Sequence, residues 1–196
     1  MKTTESHWPD TVFVPGAVPA SWLSYVADRQ LPRDAILEQA GLTQEFASSF
    51  SAGITMEKLR RLLDAIYRHG GDDLMGFDVG WRMPPTSFGS LGSALLASPD
   101  VGSALALLER YWGLVVRGVK LNLVSEDELC VLTFFAEDYL TGPMRDLTLD
   151  SIVFALFRGA SLLVPGVGRD TQVWLDHPPP RGEHEAFEMI GTLRFD

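Results

Sequence analysis

The chain has 196 residues, of which 46% are hydrophobic and 21% are charged, and its net charge is −10. This composition excludes wholesale disorder and supplies enough apolar surface for the core of one domain. Nucleic acids and anionic membranes are polyanions, so the acid excess disfavours both as partners of the whole surface. The single cysteine, Cys130, excludes an intramolecular disulfide. With no secretory signal and no apolar run of ~18 residues, we expect a cytoplasmic protein that does not enter a membrane.

The first half of the sequence predicts several helices after a short lead-in. Prolines interrupt residues 1–19, which we expect to be extended. Residues 20–40 carry the pattern of two short helices, the second of which ends at Gly41. Apolar residues at offsets of three and four predict an amphipathic helix at residues 56–69, with Thr55 as its N-cap.

Three further helices are predicted before the middle of the chain. Two of them, at residues 73–82 and 87–97, lie on either side of Pro84-Pro85. The third begins at Ser98-Pro99-Asp100, where a capping serine is followed by proline at the first position and by an acid at the positive end of the helix dipole. It extends to about residue 116. Because its apolar residues cover a broad face, we expect this helix to be largely buried.

The second half of the sequence predicts strands as well as helices. Residues 119–123 alternate between apolar and polar, a polar turn follows at 125–128, and 129–135 is rich in β-formers, which together indicate an antiparallel hairpin. The later elements are a core helix at 144–164, a strand at 171–175, a helix at 182–190 and a strand at 192–195. Helices followed by a small, mainly antiparallel sheet predict an α+β fold. We assign residues 20–196 to a single domain.

The sequence lacks the spacing of known catalytic and cofactor motifs. His184 and Glu188 lie one turn apart, but a zinc protease needs a second histidine, and we expect a solvated surface helix there. Neither Ser90 nor Ser93 has the flanking glycines of a nucleophile elbow. We therefore expect no enzyme, no metal and no cofactor. Cys130 lies in an apolar strand, which indicates a small core residue.

Aromatic residues and arginines concentrate near the predicted junction of the long helix and the hairpin. A small-molecule pocket is apolar with a few polar anchors, and this set can supply both. Aromatic residues at helical spacing are also common in ordinary cores, and the glycines at 89 and 92 fit either a pocket or tight helix packing. The residues that we propose for ligand binding are Trp81, Arg82, Phe88, Tyr111, Trp112, Arg117 and Phe135.

Ordered blocks along the chain resemble the N-terminal, ligand-sensing domain of AraC-family transcription regulators, the "arabinose-binding" type. The resemblance covers about residues 20–195. The similar blocks are ILEQAGL at 36–42, residues 59–76, FGSLGSALLASP at 88–99, Ala104-Leu105 with Tyr111, VWLDHPPP at 173–180 and residues 189–195. The block at 88–99 is the most specific. Met189 and Thr192 stand where the family usually has phenylalanine and proline, and both are packing positions.

The resemblance implies a regulatory domain that binds a small-molecule effector and forms a homodimer. It also implies that DNA is bound only through a C-terminal helix-turn-helix domain, which this chain does not contain. A second hypothesis is a ligand-independent module for dimerisation or protein interaction in the same kind of regulator. A cavity of ~300 Å³ or more favours the first hypothesis, whereas a tight core with an apolar two-fold interface favours the second.

Overall fold

A computed structural model describes residues 12–49, 53–126 and 129–196. The predicted helices and strands occur in the predicted order, together with short strands at 13–14 and 54–55 and short helices at 44–49 and 167–170 that were not predicted. The helices are α1 (Ala17–Asp28), α2 (Arg33–Ala40), α3 (Gln44–Ser49), α4 (Met56–Arg68), α5 (Met75–Arg82), α6 (Gly89–Leu96), α7 (Val101–Val115), α8 (Gly142–Leu163), α9 (Val167–Asp170) and α10 (Glu185–Met189). The strands are β1 (Phe13–Val14), β2 (Ile54–Thr55), β3 (Val119–Glu126), β4 (Leu129–Ala136), β5 (Gln172–Leu175) and β6 (Thr192–Phe195). The α+β class is confirmed. No helix in the described ranges is long and apolar enough to cross a membrane.

The strands of the described residues form three separate two-stranded sheets rather than one sheet. The predicted hairpin is confirmed, with β3 antiparallel to β4 in a register that places Val124 opposite Val131. Strands β5 and β6 are parallel, because the segment that contains α10 crosses over between them. Strand β1 pairs with β2 and α1 begins at Ala17, so the predicted lead-in is partly folded from residue 13 onward. Residues 1–11 and 127–128 of the predicted lead-in and turn lie outside the described residues.

Helices α5 and α8 lie in close contact and form a wall through the molecule. A Cβ added at Gly80 would lie 2.5 Å from the carbonyl oxygen of Ser151, and one at Gly76 would lie 2.8 Å from that of Leu147. Both distances are shorter than real Cβ contacts, so the absence of a side chain on this face of α5 sets the helix separation.

The wall separates two hydrophobic clusters. On one side, Met75 and Val79 of α5 join the main core, which also contains buried residues of α1, α2 and α4. On the other side lies a smaller cluster, whose buried members are Phe77, Trp81, Phe154, Phe157, Val173, Leu175, Ala186 and Ile190. The second cluster therefore joins the wall to the C-terminal elements of the chain.

The start of α7 differs from its prediction. The carboxylate of Asp100, not Ser98, caps the helix by accepting a hydrogen bond from the backbone N–H of Ser103 at 2.7 Å. The Ser98 hydroxyl instead donates to the carbonyl of Ala94 at 2.9 Å. Helix α7 fully buries only Leu108 and Trp112, so the expectation of a largely buried helix was wrong. One face of α7 lies on α6 and the hairpin, and the rest is open to solvent.

Candidate functional site

The predicted aromatic junction is present between α7 and the hairpin, but it contains few of the predicted residues. Trp112 is buried, and its indole N–H donates a 2.8 Å hydrogen bond to the carbonyl of Val119 in β3. Its ring lies 5.4 Å from that of Phe134 and 6.4 Å from that of Phe88. The hydrogen bond fixes where the hairpin begins relative to α7. We call Phe88, Trp112 and Phe134 the aromatic junction.

Trp81 and Arg82 lie away from this junction. Trp81 belongs to the second cluster, where its ring stacks at 6.2 Å on Phe157 and the guanidinium of Arg158 lies 4.8 Å from its centre. Arg82 is exposed and forms a 2.9 Å ion pair with Asp28. Trp81 and the aromatic junction thus belong to different hydrophobic clusters, and Arg82 is paired with α1.

Three other predicted residues are exposed. Tyr111 is beside Arg110, whose guanidinium lies 5.4 Å from the ring. Arg117 donates at 2.9 Å to the carbonyl of Gly113, in the last turn of α7. Phe135 faces away from α7, because consecutive strand residues point to opposite faces and its neighbour Phe134 faces inward. The seven predicted residues thus do not converge on one point.

The two glycines of the 88–99 block have different roles. A Cβ at Gly92 would lie 1.7 Å from the carbonyl oxygen of Pro85, so this position serves tight packing rather than access for a ligand. Gly89 has a φ of +61°, which an L side chain adopts at a cost, and it lets the chain turn from the 3-10 helix at Pro85–Phe88 into α6.

Two buried aspartates lie on the wall, and each pairs with a histidine. Asp78 of α5 accepts hydrogen bonds from Nε2 of His184 at 3.2 Å and from Arg29 at 2.5 Å, and Arg82 lies 3.8 Å away. The hydrogen bond from His184 is the largest of the effects that lower the pKa of Asp78 to about 2, against the opposing effect of burial. Nδ1 of His184 accepts from the N–H of Ala186 at 3.1 Å, which leaves Nε2 to carry the proton given to Asp78.

Asp150 of α8 forms the second buried pair. Its carboxylate, almost fully buried, lies 2.9 Å from Nε2 of His177, and burial raises the pKa of Asp150. The hydrogen bond to Asp150 is the main cause that raises the pKa of His177 to about 9. Nδ1 of His177 lies 2.9 Å from the carbonyl of Pro178. Both ring nitrogens therefore face acceptors, which is the arrangement of a protonated imidazole.

Sequence reasoning missed both histidine–aspartate pairs. The partners are 27 and 106 positions apart, so no local periodicity links them. His184 was expected on a solvated helix; it is buried and caps α10 instead. Cys130 was expected in the core; it is exposed, because the hairpin extends past the part that α7 covers.

The described residues contain no group of three or more histidine, cysteine, aspartate or glutamate side chains that could hold a metal ion. Two surface clefts lie near α4. One, of about 150 Å³, is lined by Gly41, Leu42, Thr43, Phe46, Gly53, Ile54, Thr55 and Lys58. The other, of about 460 Å³, is lined by Gln39, Arg61, Asp64, Arg68 and His69. Neither cleft includes a residue that the sequence predicted for ligand binding.

Comparison with known proteins identifies the class of domain. A family model described as the arabinose-binding domain of AraC transcription regulator, N-terminal, matches residues 31–193. The ornithine utilization regulator of Pseudomonas aeruginosa is 24% identical over 179 residues, which are 91% of this chain and 52% of that protein. The chain thus spans about half the length of this relative. The family is one of transcription regulator domains rather than enzymes, and the chain belongs to it as an N-terminal, arabinose-binding-type domain of the AraC regulators.

Proposed function

We propose that this domain binds a small-molecule effector in the cytoplasm and controls a DNA-binding part of an AraC-type transcription factor. The family match over residues 31–193 is the observation that carries this proposal. It is supported by the relative, about half of which lies outside the aligned region. The net charge of −10 repels phosphate groups, which favours a separate DNA-binding part. An effector acts here by binding one conformation of the domain more tightly than another.

We place the effector at the aromatic junction, between α7 and the hairpin. This edge of the main core is less densely covered than its centre, because Phe134, Leu121 and Val115 are only half-buried around the buried Trp112. A ligand that enters between these side chains gains apolar contacts and leaves the more deeply buried residues of the core in place. Tyr111 precedes Trp112 in α7, Arg117 follows the end of that helix, and these two side chains are our candidates for polar anchors. Trp81, Arg82 and Phe135 would affect binding only indirectly.

The test is a thermal-shift screen against small metabolites that includes ornithine, the compound in the relative's name. A ligand at 100 times its Kd stabilises a protein by about 2.7 kcal/mol, which for this size raises Tm by roughly 5–10 °C. Trp112→Phe should abolish the shift, whereas Trp174→Phe, which changes an exposed tryptophan in β5, should keep it. A panel in which nothing stabilises the protein contradicts effector binding. A full shift in Trp112→Phe contradicts only the location.

A specific observation also favours dimerisation. The register of the hairpin places four large apolar side chains on its outer face, with exposed fractions of 39% for Val124, 71% for Leu129, 53% for Val131 and 51% for Phe135. They expose roughly 400 Å² together, the size of patches that often bind partners. Two copies in contact would bury about 800 Å² of apolar surface. A stable interface buries at least ~1,200 Å² in total, so the polar residues of the same face would have to supply the remainder.

Sedimentation without ligand tests this interface. We expect the wild type to be a dimer and Val131→Asp to be a monomer, because a buried unpaired carboxylate is costly. Leu162→Asp is the matched control, since Leu162 is similarly exposed, at 57%, but lies near the end of α8. A monomeric wild type, or a Val131→Asp variant that remains dimeric, contradicts the assignment.

A further inference from the structure

Residues 167–196, which comprise α9, β5, α10 and β6, form a unit that we call the cap. Its elements are joined by close backbone contacts: the N–H of Gly191 donates to the carbonyl of Gly168 at 2.6 Å, and a Cβ at Gly168 would lie 2.0 Å from the carbonyl oxygen of Met189. The parallel pairing of β5 with β6 closes the unit. These contacts hold the cap together without the main core.

The cap rests on the wall through the second cluster, which is distinct from the main core. The Phe77 ring of α5 lies 5.1 Å from that of Phe187 and 6.4 Å from that of Phe195, both in the cap. Phe154 of α8 lies 6.0 Å from Phe187. Removing the cap would therefore expose one side of the wall and leave the main core covered on the other side.

Among the described residues, four pairs of polar side chains cross the boundary between cap and body. Two are buried: His177 with Asp150 and His184 with Asp78. Two are more exposed: Arg181 with Asp73 at 2.9 Å and Asp176 with Arg145 at 2.5 Å. In each buried pair the cap supplies the histidine and the wall supplies the carboxylate.

The buried pairs make the cap's attachment all-or-none. When the cap leaves, each carboxylate regains water. If His177 were removed from a closed cap, Asp150 would stay buried without compensation, which is strongly destabilising, whereas without His184 Asp78 would keep its ion pair with Arg29. A partly open cap would separate the hydrogen-bonded groups before water reaches them, and a buried polar group without a partner is costly. Intermediate positions of the cap are thus disfavoured relative to closed and open ones.

We propose that the cap is a latch, which opens and closes as one unit on the wall, with His177–Asp150 and His184–Asp78 as its two catches. The main core stays folded while the latch opens. On the proposed function, a DNA-binding part that continues from β6 would take its position from the latch. This last consequence rests on the proposed function, but the latch itself does not.

Native-state hydrogen exchange tests the latch in the protein without effector or DNA. We expect the amides of β5 and β6 to exchange through an opening that costs less free energy than the opening that exposes α4. Asp150→Asn should speed exchange in the cap on the order of 100-fold and leave α4 unchanged. Asp176→Asn is the matched control: it breaks an exposed pair, and we expect less than about a threefold change.

Two results overturn the latch. Equal exchange of cap and α4 amides in the wild type shows that the cap opens only with global unfolding. Unchanged cap exchange in both Asp150→Asn and His177→Gln shows that the pairs do not hold it. If Asp150→Asn does not fold, the latch is tested by comparing the exchange of cap and α4 amides in the wild type and by measuring cap exchange in His177→Gln. Because no effector is present, failure of the latch leaves the effector-binding proposal untouched.

Discussion

The contact between α5 and α8 predicts a large penalty for a single methyl group. In Gly80→Ala the new Cβ meets the carbonyl oxygen of Ser151 at 2.5 Å and its Cα at 2.8 Å. Both are backbone atoms of α8, so no rotamer change relieves the overlap and the helices must separate. Overpacking of this kind costs about 1–3 kcal/mol, and the backbone clash places it at the upper end. The better helix propensity of alanine returns about 1 kcal/mol. We expect a net loss of about 2 kcal/mol.

Urea unfolding followed by circular dichroism measures this loss. Gly113→Ala is the matched control, because Gly113 also lies inside a helix, α7, but has no atom within 4 Å of an added Cβ. This control should gain about 0.5–1 kcal/mol. In thermal melts of a protein of this size, Gly80→Ala should lower Tm by roughly 4–8 °C. If Gly80→Ala is as stable as the wild type, the wall is not set by that glycine and the reasoning fails.

Three further predictions concern other parts of the fold. Hydrogen bonds from Arg60, and then from Arg61, lower the pKa of the buried Glu57 to about 2 against the effect of burial. The lowered pKa of Glu57 stabilises the folded state fully above pH 4.5. As the pH falls towards 2, this contribution to the free energy of unfolding, up to about 3 kcal/mol, is lost. Glu57→Gln should remove that part of the acid-denaturation curve, and an unchanged curve would contradict the assignment. Trp112→Phe loses the bond to Val119 and ring volume, so urea unfolding should show a loss of about 2–3 kcal/mol, while Trp174→Phe should change little. The exposed Cys130 should react with a thiol reagent without denaturant, but slowly at neutral pH, because partial burial and Glu109 raise its pKa. If Cys130 does not react until the protein is unfolded, it lies in the core and this prediction is wrong.

Local signals predicted most helices and the hairpin well. Helix α4 was predicted to within one residue, because Thr55 caps it and its apolar positions repeat at helical spacing. The alternation in β3 likewise predicted the hairpin. Asp100, rather than Ser98, is the N-cap of α7. Either side chain suits that role, and only the final backbone geometry decides between them.

Pairings between distant segments could not be predicted. The parallel register of β5 with β6 depends on a crossover, which strand patterns do not encode. His184 was expected on a solvated helix, no local pattern marks Asp78, and the fold alone brings the two together. The residues predicted for ligand binding were assigned to one junction on their positions in the sequence. Those positions do not show that the wall separates Trp81 from Trp112.

The parallel pairing of β5 with β6 also has a consequence for synthesis on the ribosome. β6 occupies residues 192–195, so the second cluster lacks Leu193 and Phe195 until nearly all of the present chain has emerged. The main core draws only on residues before about 160 and can form earlier. During that interval the aromatic side of the wall is uncovered, and Phe77 and Phe154 are exposed on a nascent chain. We expect truncation before β6 to leave a folded but aggregation-prone body, whose yield depends on chaperones.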